Sequence, residues 1–167
     1  VLEGAARTYP EHGHLAGLVA IDWDAADHWH EEDVQAFIHP RSPYVRVDAL
    51  PSSRHVVIRV DGEVVVDTIR PTILYETGLP PRYYVPADDV RMDLLTPTDS
   101  QTGCPYKGVA RYWTLTTPTA THDDLAWAYD APLPESAGVK GLLCFYNERV
   151  DLEVDGVASA SPRTKFS

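Results

Sequence analysis

The sequence predicts an all-β protein of antiparallel strands with at most one short helix, and two observations support this prediction. The first is a β-hairpin over residues 54–69, in which two arms rich in β-branched residues flank Asp61-Gly62. Asp-Gly supplies the two positive-φ positions of a type I′ turn. The second is a series of short strand-like segments separated by turns rich in proline, aspartate and glycine, which is typical of sandwiches and barrels.

The strand-like segments have the β-branched and aromatic composition that fits a pleated sheet. Helix signals are confined to residues 87–95, where Asp88 or Asp89 would begin two turns and Pro97 would end them. A helix over residues 136–144 is disfavoured, because its two glycines each cost about 1 kcal/mol relative to alanine. Beyond the hairpin, the predicted strands are Thr72–Glu76, Arg82–Val85, Val109–Thr116, Leu125–Tyr129, Val139–Tyr146 and Val150–Val154.

Composition excludes several classes of partner. The chain has 167 residues, which is enough for one domain with an appendage, and its net charge is −11. Nucleic acid and anionic membranes are disfavoured as partners, because both are bound through clustered Lys and Arg. No apolar run approaches 18 residues, and we expect no secretory signal peptide. The two cysteines, Cys104 and Cys144, are expected to be free thiols, which predicts a reducing, cytoplasmic location.

An internal repeat suggests how the chain is organised. Residues 15–27 align with residues 139–151 at a constant offset of 124, so that Gly17 matches Gly141 and Asp27 matches Asp151. We interpret residues 1–44 as the remnant of a preceding copy, residues 45–157 as the complete module and residues 158–167 as a tail. The apolar residues of the leading segment must be buried somewhere, which predicts a homodimer through residues 1–35.

The segment Thr102–Trp113 places Cys104, Tyr106 and Lys107 in a turn that follows the polar loop expected at residues 98–101. A thiolate is a strong nucleophile, and a neighbouring lysine lowers the pKa of such a thiol. Lysine can also form a Schiff base or bind an anionic group. The alternative is structural: Cys104 fills space in the core, and Lys107 lies in solvent.

A second group of candidates flanks the Gly-Leu-Pro-Pro turn at residues 78–81. Glu76 ends one predicted strand and Arg82 begins the next, so the two side chains should lie close together if the strands pair. Glu76 would then act as a general acid or base, and Arg82 would bind a carboxylate or phosphate. The alternative is a surface ion pair worth about 0–1 kcal/mol.

Aromatic residues form a third group. Trp127 and Tyr129 lie on the same face of their predicted strand because side chains alternate with a period of two. Together with Tyr84 they either pack the core or line a ligand pocket. A metal site is a further possibility at His28, His30 and Glu32, which would alternate onto one face of a strand. We expect no metal there, since the aligned positions 152, 154 and 156 carry no ligand residues.

Five segments, in order along the chain, resemble the bacterial and fungal domain-of-unknown-function family 427. They are SSRHV, YETGLPPRYYVPADDV, TGCPYKGVARYW, AWAY and GLLCFYNERVDLEVDG, and the match extends from about Arg46 to Gly156. The resemblance implies a small β-tent-like module, the architecture of methionine sulfoxide reductase B and of the cereblon ligand-binding domain. Tandem copies are common in that family, in agreement with the internal repeat. β-tent relatives usually hold zinc on paired CxxC motifs, which this sequence lacks.

The family has a nucleotidyltransferase-like label that this sequence does not support, since it has neither a glycine-rich phosphate loop nor carboxylates spaced for Mg²⁺. The sequence therefore predicts a module that binds a small polar or anionic molecule without a cofactor, with catalytic roles assigned to Glu76, Cys104 and Lys107. Non-catalytic recognition of a ligand or protein on the aromatic face is the alternative. The predicted ligand-binding residues are Arg82, Tyr84, Tyr106, Trp127 and Tyr129.

Overall fold

The computed structural model describes residues 4–36, 44, 46–104 and 106–164. The chain divides into two compact units, residues 1–41 and residues 42–167. The predicted boundary between residues 44 and 45 adjoins residues 37–43 and 45, which lie outside the described part. The interpretation of the first unit as the remnant of a preceding copy stays a prediction.

The second unit is built from two antiparallel sheets. Its strands are β5 (Val47–Pro51), β6 (Val56–Val60), β7 (Glu63–Thr68), β8 (Thr72–Glu76), β9 (Arg82–Val85), β10 (Leu95–Cys104), β11 (Gly108–Thr116), β12 (Thr121–Tyr129), β13 (Leu143–Phe145), β14 (Asp151–Val154) and β15 (Val157–Ala158). One sheet has seven strands in the order β10-β11-β12-β13-β9-β8-β5, and the other has four in the order β15-β14-β6-β7.

The prediction of an all-β fold is confirmed. No α-helix occurs among the described residues, which contain only short 3-10 helices. The β6–β7 hairpin forms as predicted, with φ angles of 53° at Asp61 and 85° at Gly62. The more specific likeness to a β-tent stays an expectation. The 3-10 helices are Gly13–Leu15, Trp23–Ala25, Ala87–Asp89, Met92–Leu94 and Pro134–Val139.

The main core lies between the two sheets. Alternating valines and isoleucine of β6 and β7, such as Ile58 and Val66, pack against Leu115, Leu125 and Phe145 of the seven-stranded sheet. Removing this much apolar surface from water is the main stabilising contribution to such a fold. The opposite face of the seven-stranded sheet carries a second buried cluster, which is rich in tyrosine and tryptophan.

Three local predictions for the second unit were wrong. The strand predicted over Val139–Tyr146 is shorter, since Pro134–Val139 is a 3-10 helix and β13 covers only Leu143–Phe145. Residues 87–95 form two 3-10 turns rather than a helix, because Val90 between them forms a β-bridge with Val66 and Arg91 donates its N–H to the Val65 carbonyl. Residues 98–101 belong to strand β10 rather than to a loop. Pro97 is accommodated in β10 because this strand is at the edge of the sheet, where the missing N–H interrupts no ladder.

The first unit consists of two short hairpins. Strands β1 (Ala6–Thr8) and β2 (Val19–Ile21) form one, and β3 (Trp29–Glu31) and β4 (Val34–Ala36) form the other. The rings of Trp23 and Trp29 stack with centroids 5.1 Å apart. The predicted alternation of His28, His30 and Glu32 does not hold, because strand β3 ends at Glu31 and Glu32 has a φ of 53° in the following turn.

The two segments that align at the offset of 124 share several features of backbone structure. Strand β2 aligns with β13 at the offset of 124, and Gly17 and Gly141 both have positive φ angles, 83° and 71°. In each segment a 3-10 turn precedes this glycine. Strands β1 and β2 pair as an antiparallel hairpin, as do β12 and β13.

Candidate functional site

The aromatic residues predicted as ligand contacts lie together on one face of the seven-stranded sheet. This face, which we call the aromatic face, is the one turned away from the main core. Period-two alternation places Tyr84 of β9, Tyr112 of β11, Trp127 and Tyr129 of β12 and Cys144 of β13 on it. These side chains are buried against one another, so the face is a packed layer rather than an open surface.

Trp127 is at the centre of the aromatic face. Its indole N–H donates to the hydroxyl of Tyr84 at 3.1 Å, and the two rings are perpendicular. Its other neighbour is Tyr146, whose ring centroid is 4.5 Å away. Burial raises the pKa of Tyr84 well above its ordinary value, so this phenol stays neutral at physiological pH.

A buried ion pair lies beside Trp127. Arg82 donates two hydrogen bonds to Glu148, of 2.6 and 2.7 Å, and the two side chains are only 8% and 0% exposed. Burial by itself raises the pKa of Glu148, but hydrogen bonds from Arg82 and Thr164 outweigh burial and lower it from 4.5 to about 2. The Arg82 guanidinium is also 5.8 Å from the Trp127 ring, within cation–π range.

A second ion pair joins the turn between β10 and β11 to the end of β8. Lys107, in the turn between β10 and β11, donates to the carboxylate of Glu76 at the end of β8. The two side chains are 12% and 17% exposed, so neither lies in solvent. The turn is held in place by main-chain hydrogen bonds from Lys107 to Cys104 and from Leu133 to Lys107.

Strands β8 and β9 pair as predicted, with Leu74 opposite Arg82, so Glu76 lies two residues along from the partner of Arg82 on the same face of the sheet. Glu76 and Arg82 do not form an ion pair with each other, because Glu76 pairs with Lys107 and Arg82 with Glu148. The alternative of a surface ion pair between Glu76 and Arg82 was therefore wrong. Glu148 escaped prediction because its distance of 66 residues from Arg82 leaves no local signal.

The two thiols are in different surroundings. Both are free, with Cys104 half-buried and Cys144 fully buried. Burial raises the pKa of Cys144 to about 12, which keeps it a protonated, unreactive core residue. Tyr106 is exposed and lies outside the packed aromatic layer.

An open cleft adjoins the aromatic face, and we call it the tyrosine cleft. Its volume is about 410 Å³, within the usual range for small-molecule sites. Tyr112 and Tyr146 connect it to the buried layer, since Tyr146 also packs against Trp127 with the two rings tilted by 47°. The Thr102 and Tyr112 hydroxyls are hydrogen-bonded at 2.6 Å. The lining residues are Ser100, Gln101, Thr102, Tyr112, Asp124, Tyr146 and Arg149.

Sequence reasoning did not select the charged residues of the tyrosine cleft. Arg149 follows strand β13 in a turn, and Asp124 lies in an irregular part of β12 where its register against β11 shifts. Neither position has a spacing that marks it. The Phe145-Tyr146 pair was a detectable aromatic signal, but it did not distinguish the cleft residue Tyr146 from the core residue Phe145.

A second cleft of about 370 Å³ lies on the other side of Arg149, which lines both. It contains a hydrogen bond of 2.8 Å between His122 and Asp61, and Asp61 also accepts from Thr117. The hydrogen bond from His122 is the largest cause that lowers the pKa of Asp61. These contacts link the β6–β7 turn to the β11–β12 region.

Two further features of the described residues concern membranes and metal ions. No helix in this part of the chain is both long and apolar enough to cross a membrane. Nor do the described side chains include a group of three or more His, Cys, Asp and Glu that could hold a metal ion. The histidines at positions 28 and 30 have ring centroids 6.4 Å apart.

Comparison with known proteins identifies the family. No curated protein matches the chain. Residues 48–156 match the family described as "Domain of unknown function (DUF427)", and the match includes β6 to β14 together with the tyrosine cleft. The chain therefore belongs to the DUF427 family of domains.

Proposed function

We propose that the module binds a small molecule with an anionic group in the tyrosine cleft, with Arg149 as the residue that binds the anion. The observation that carries this proposal is that the Arg149 guanidinium has no carboxylate partner among the described residues. In the part of the chain that the structure describes, this guanidinium donates only to the main-chain carbonyl of Asp123, at 3.3 Å, and it lies 5.8 Å from the Tyr146 ring.

The surroundings of Arg149 are unusual for this protein. Aspartate and glutamate number 25 against 14 lysines and arginines, so carboxylates are in excess. Within the described part of the chain, no carboxylate pairs with Arg149, although it lines an open cleft. The arginines that do pair with a carboxylate are Arg7, Arg46, Arg54, Arg59, Arg70, Arg82, Arg91 and Arg111.

The remaining lining groups suit a ligand with a flat or apolar body. Burial, followed by a hydrogen bond to Tyr112, raises the pKa of Tyr146, so the Tyr146 hydroxyl stays neutral and can donate and accept hydrogen bonds. Tyrosine faces also offer apolar surface with little side-chain entropy to lose on binding. The Ser100 and Thr102 hydroxyls add polar contacts at the rim.

This proposal moves the anion-binding role from Arg82 and Lys107 to Arg149. Arg82 and Lys107 already have carboxylate partners, Glu148 and Glu76. Catalytic roles for Glu76, Cys104 and Lys107 stay a prediction, and they require the Lys107–Glu76 pair to separate. Recognition of a protein on the aromatic face is not favoured, since Trp127 and Tyr129 are 7% and 5% exposed.

The test is a thermal-shift screen of a metabolite library against the wild type, R149Q and R91Q. Ligands at 100 times their Kd stabilise a fold by about 2.7 kcal/mol, which raises Tm by several degrees. We expect anionic hits that R149Q loses. R91Q is the matched control because it removes the same charge from an exposed arginine, paired with Asp93, that does not line the cleft.

Hits retained by R149Q would contradict the proposed site, and the absence of any anionic hit would contradict the proposed function. The catalytic prediction is checked on the same hits. Each is incubated with wild type and E76Q and analysed for products by mass spectrometry. Turnover that E76Q loses would support an enzyme, and unchanged ligand would support binding without chemistry.

A further inference from the structure

The tyrosine cleft carries an acidic group as well as Arg149. Asp124 lines the same cleft and has a φ of 49°, in the left-handed region that few residues other than glycine adopt. It lies where the pairing of β11 and β12 shifts register, between the pairs Trp113–Ala126 and Leu115–His122. Irregularities of this kind redirect a side chain and are often found beside functional sites.

Two threonines hold Asp124 in this conformation. The Thr98 hydroxyl donates to its Oδ1 at 2.7 Å, and its own N–H donates to the Thr114 hydroxyl at 3.4 Å. Among the described residues, its Oδ2 has no hydrogen-bond partner. A side chain held by one carboxylate oxygen leaves the other oxygen available to a donor in the cleft.

Asp124 and Arg149 do not neutralise each other. Both line the tyrosine cleft, yet no ion pair joins them in the described part of the chain. Opposite charges that lie in one cleft without pairing can each contact the opposite end of a ligand that carries both signs. The rings of Tyr112 and Tyr146 complete the lining that such a ligand would contact.

We propose, as an extension that rests on the anion site proposed above, that the ligand is zwitterionic. An acid group would meet Arg149, and an ammonium group would donate to Oδ2 of Asp124. The chemical class is that of α-amino acids and similar molecules in which an amine and an acid are a few bonds apart. An amine without the acid, or an acid with a blocked amine, makes only one of the two contacts.

The experiment compares three sets of probes by thermal shift, followed by calorimetric titration of the strongest. The sets are the proteinogenic α-amino acids, their N-acetyl derivatives and the corresponding decarboxylated amines. We expect the free amino acids to bind at least about tenfold more tightly than either modified form, the factor for one hydrogen bond to a charged group. D124N should remove the preference for the free amine, and R149Q should weaken every acid.

D124N is a conservative change, since asparagine tolerates positive φ and still accepts from Thr98. D88N is the matched control, at an exposed aspartate away from the cleft. N-acetyl derivatives that bind as tightly as the free amino acids would overturn the zwitterion while leaving the anion site intact. Amines that bind as tightly would overturn both proposals. If no probe binds, the zwitterion is overturned and the metabolite screen alone decides the anion site.

Discussion

Two ion pairs of this module, Arg82–Glu148 and Lys107–Glu76, are largely buried. The Arg82–Glu148 pair is the clearest case, since its carboxylate is fully buried. Removing one partner of such a pair is costly because the other charge stays buried without compensation. The pair also positions Trp127, and through it Tyr146, beside the tyrosine cleft.

We predict that E148Q lowers the free energy of unfolding by about 3–5 kcal/mol. The loss should depend on pH. Because the pKa of Glu148 is lowered from 4.5 to about 2, its contribution is fully present above pH 4.5 and disappears as the pH falls through about 2. Urea titrations at several pH values should therefore show a difference between wild type and E148Q that shrinks below pH 4.5.

The matched control is E153Q. Glu153 pairs with Arg59 at 3.5 Å, and about a third of each side chain is exposed. Its loss should change stability by no more than about 1 kcal/mol. A difference between wild type and E148Q that stays constant down to pH 2 would show that the pair does not lower the Glu148 pKa.

At the scale of elements, the turn from β10 to β11 positions Lys107 beside Glu76 at the end of β8. Gly108 begins β11 with a φ of 97°, and an added Cβ would lie 3.1 Å from the Ala131 carbonyl oxygen. Only glycine fits this position without strain, and the position of Lys107 next to Glu76 depends on it. The Gly108 end of this turn is thus shaped by contact with residues 131–133.

We predict that G108A lowers stability by about 1–3 kcal/mol, the cost of holding a side chain in an unfavourable backbone region. The measurement is thermal or urea unfolding. G103A is the control, because Gly103 has an ordinary φ and open space around its Cβ position. It should shift stability by no more than about 0.5 kcal/mol. Equal effects of the two substitutions would contradict this account of the turn.

Elements with local signals were predicted well, and elements defined by their neighbours were not. The β6–β7 hairpin follows from Asp61-Gly62 and its valine-rich arms. Strand β10 was missed because its polar residues and Pro97 are compatible with a strand only at a sheet edge. Strand β5 was missed because its short segment, Val47–Pro51, owes its extended structure to pairing with β8.

At the scale of the whole molecule, strand β2 of the first unit differs from the aligned strand β13 of the second unit in how far its apolar side chains are buried. In the second unit, β13 pairs with β9 as well as with β12, and Leu143 and Phe145 are buried. In the first unit the aligned residues Val19 and Ile21 are 58% and 57% exposed. We propose that the leading segment, residues 1–35, associates with a second chain.

We predict that the wild type self-associates and that the double variant V19D/I21D does not, because charge on this face prevents its burial. The measurement is size-exclusion chromatography with light scattering over a range of concentrations. I69D is the control, since Ile69 is equally exposed but lies in the second unit. A wild type that is monomeric at every concentration would contradict this proposal.

The sequence by itself determined the class of the fold and the hairpin, because these depend on period-two patterns and turn residues that act locally. The family followed from the resemblance of five ordered segments to its members. The sequence also grouped Tyr84, Trp127 and Tyr129, whose alternation places them on one face. Only the tertiary structure decided which charges pair and where a cleft opens. Arg82 pairs with Glu148, and Asp124 and Arg149 line the same cleft. The residues of each pair are far apart in the chain, so no local sequence pattern predicts that they come together.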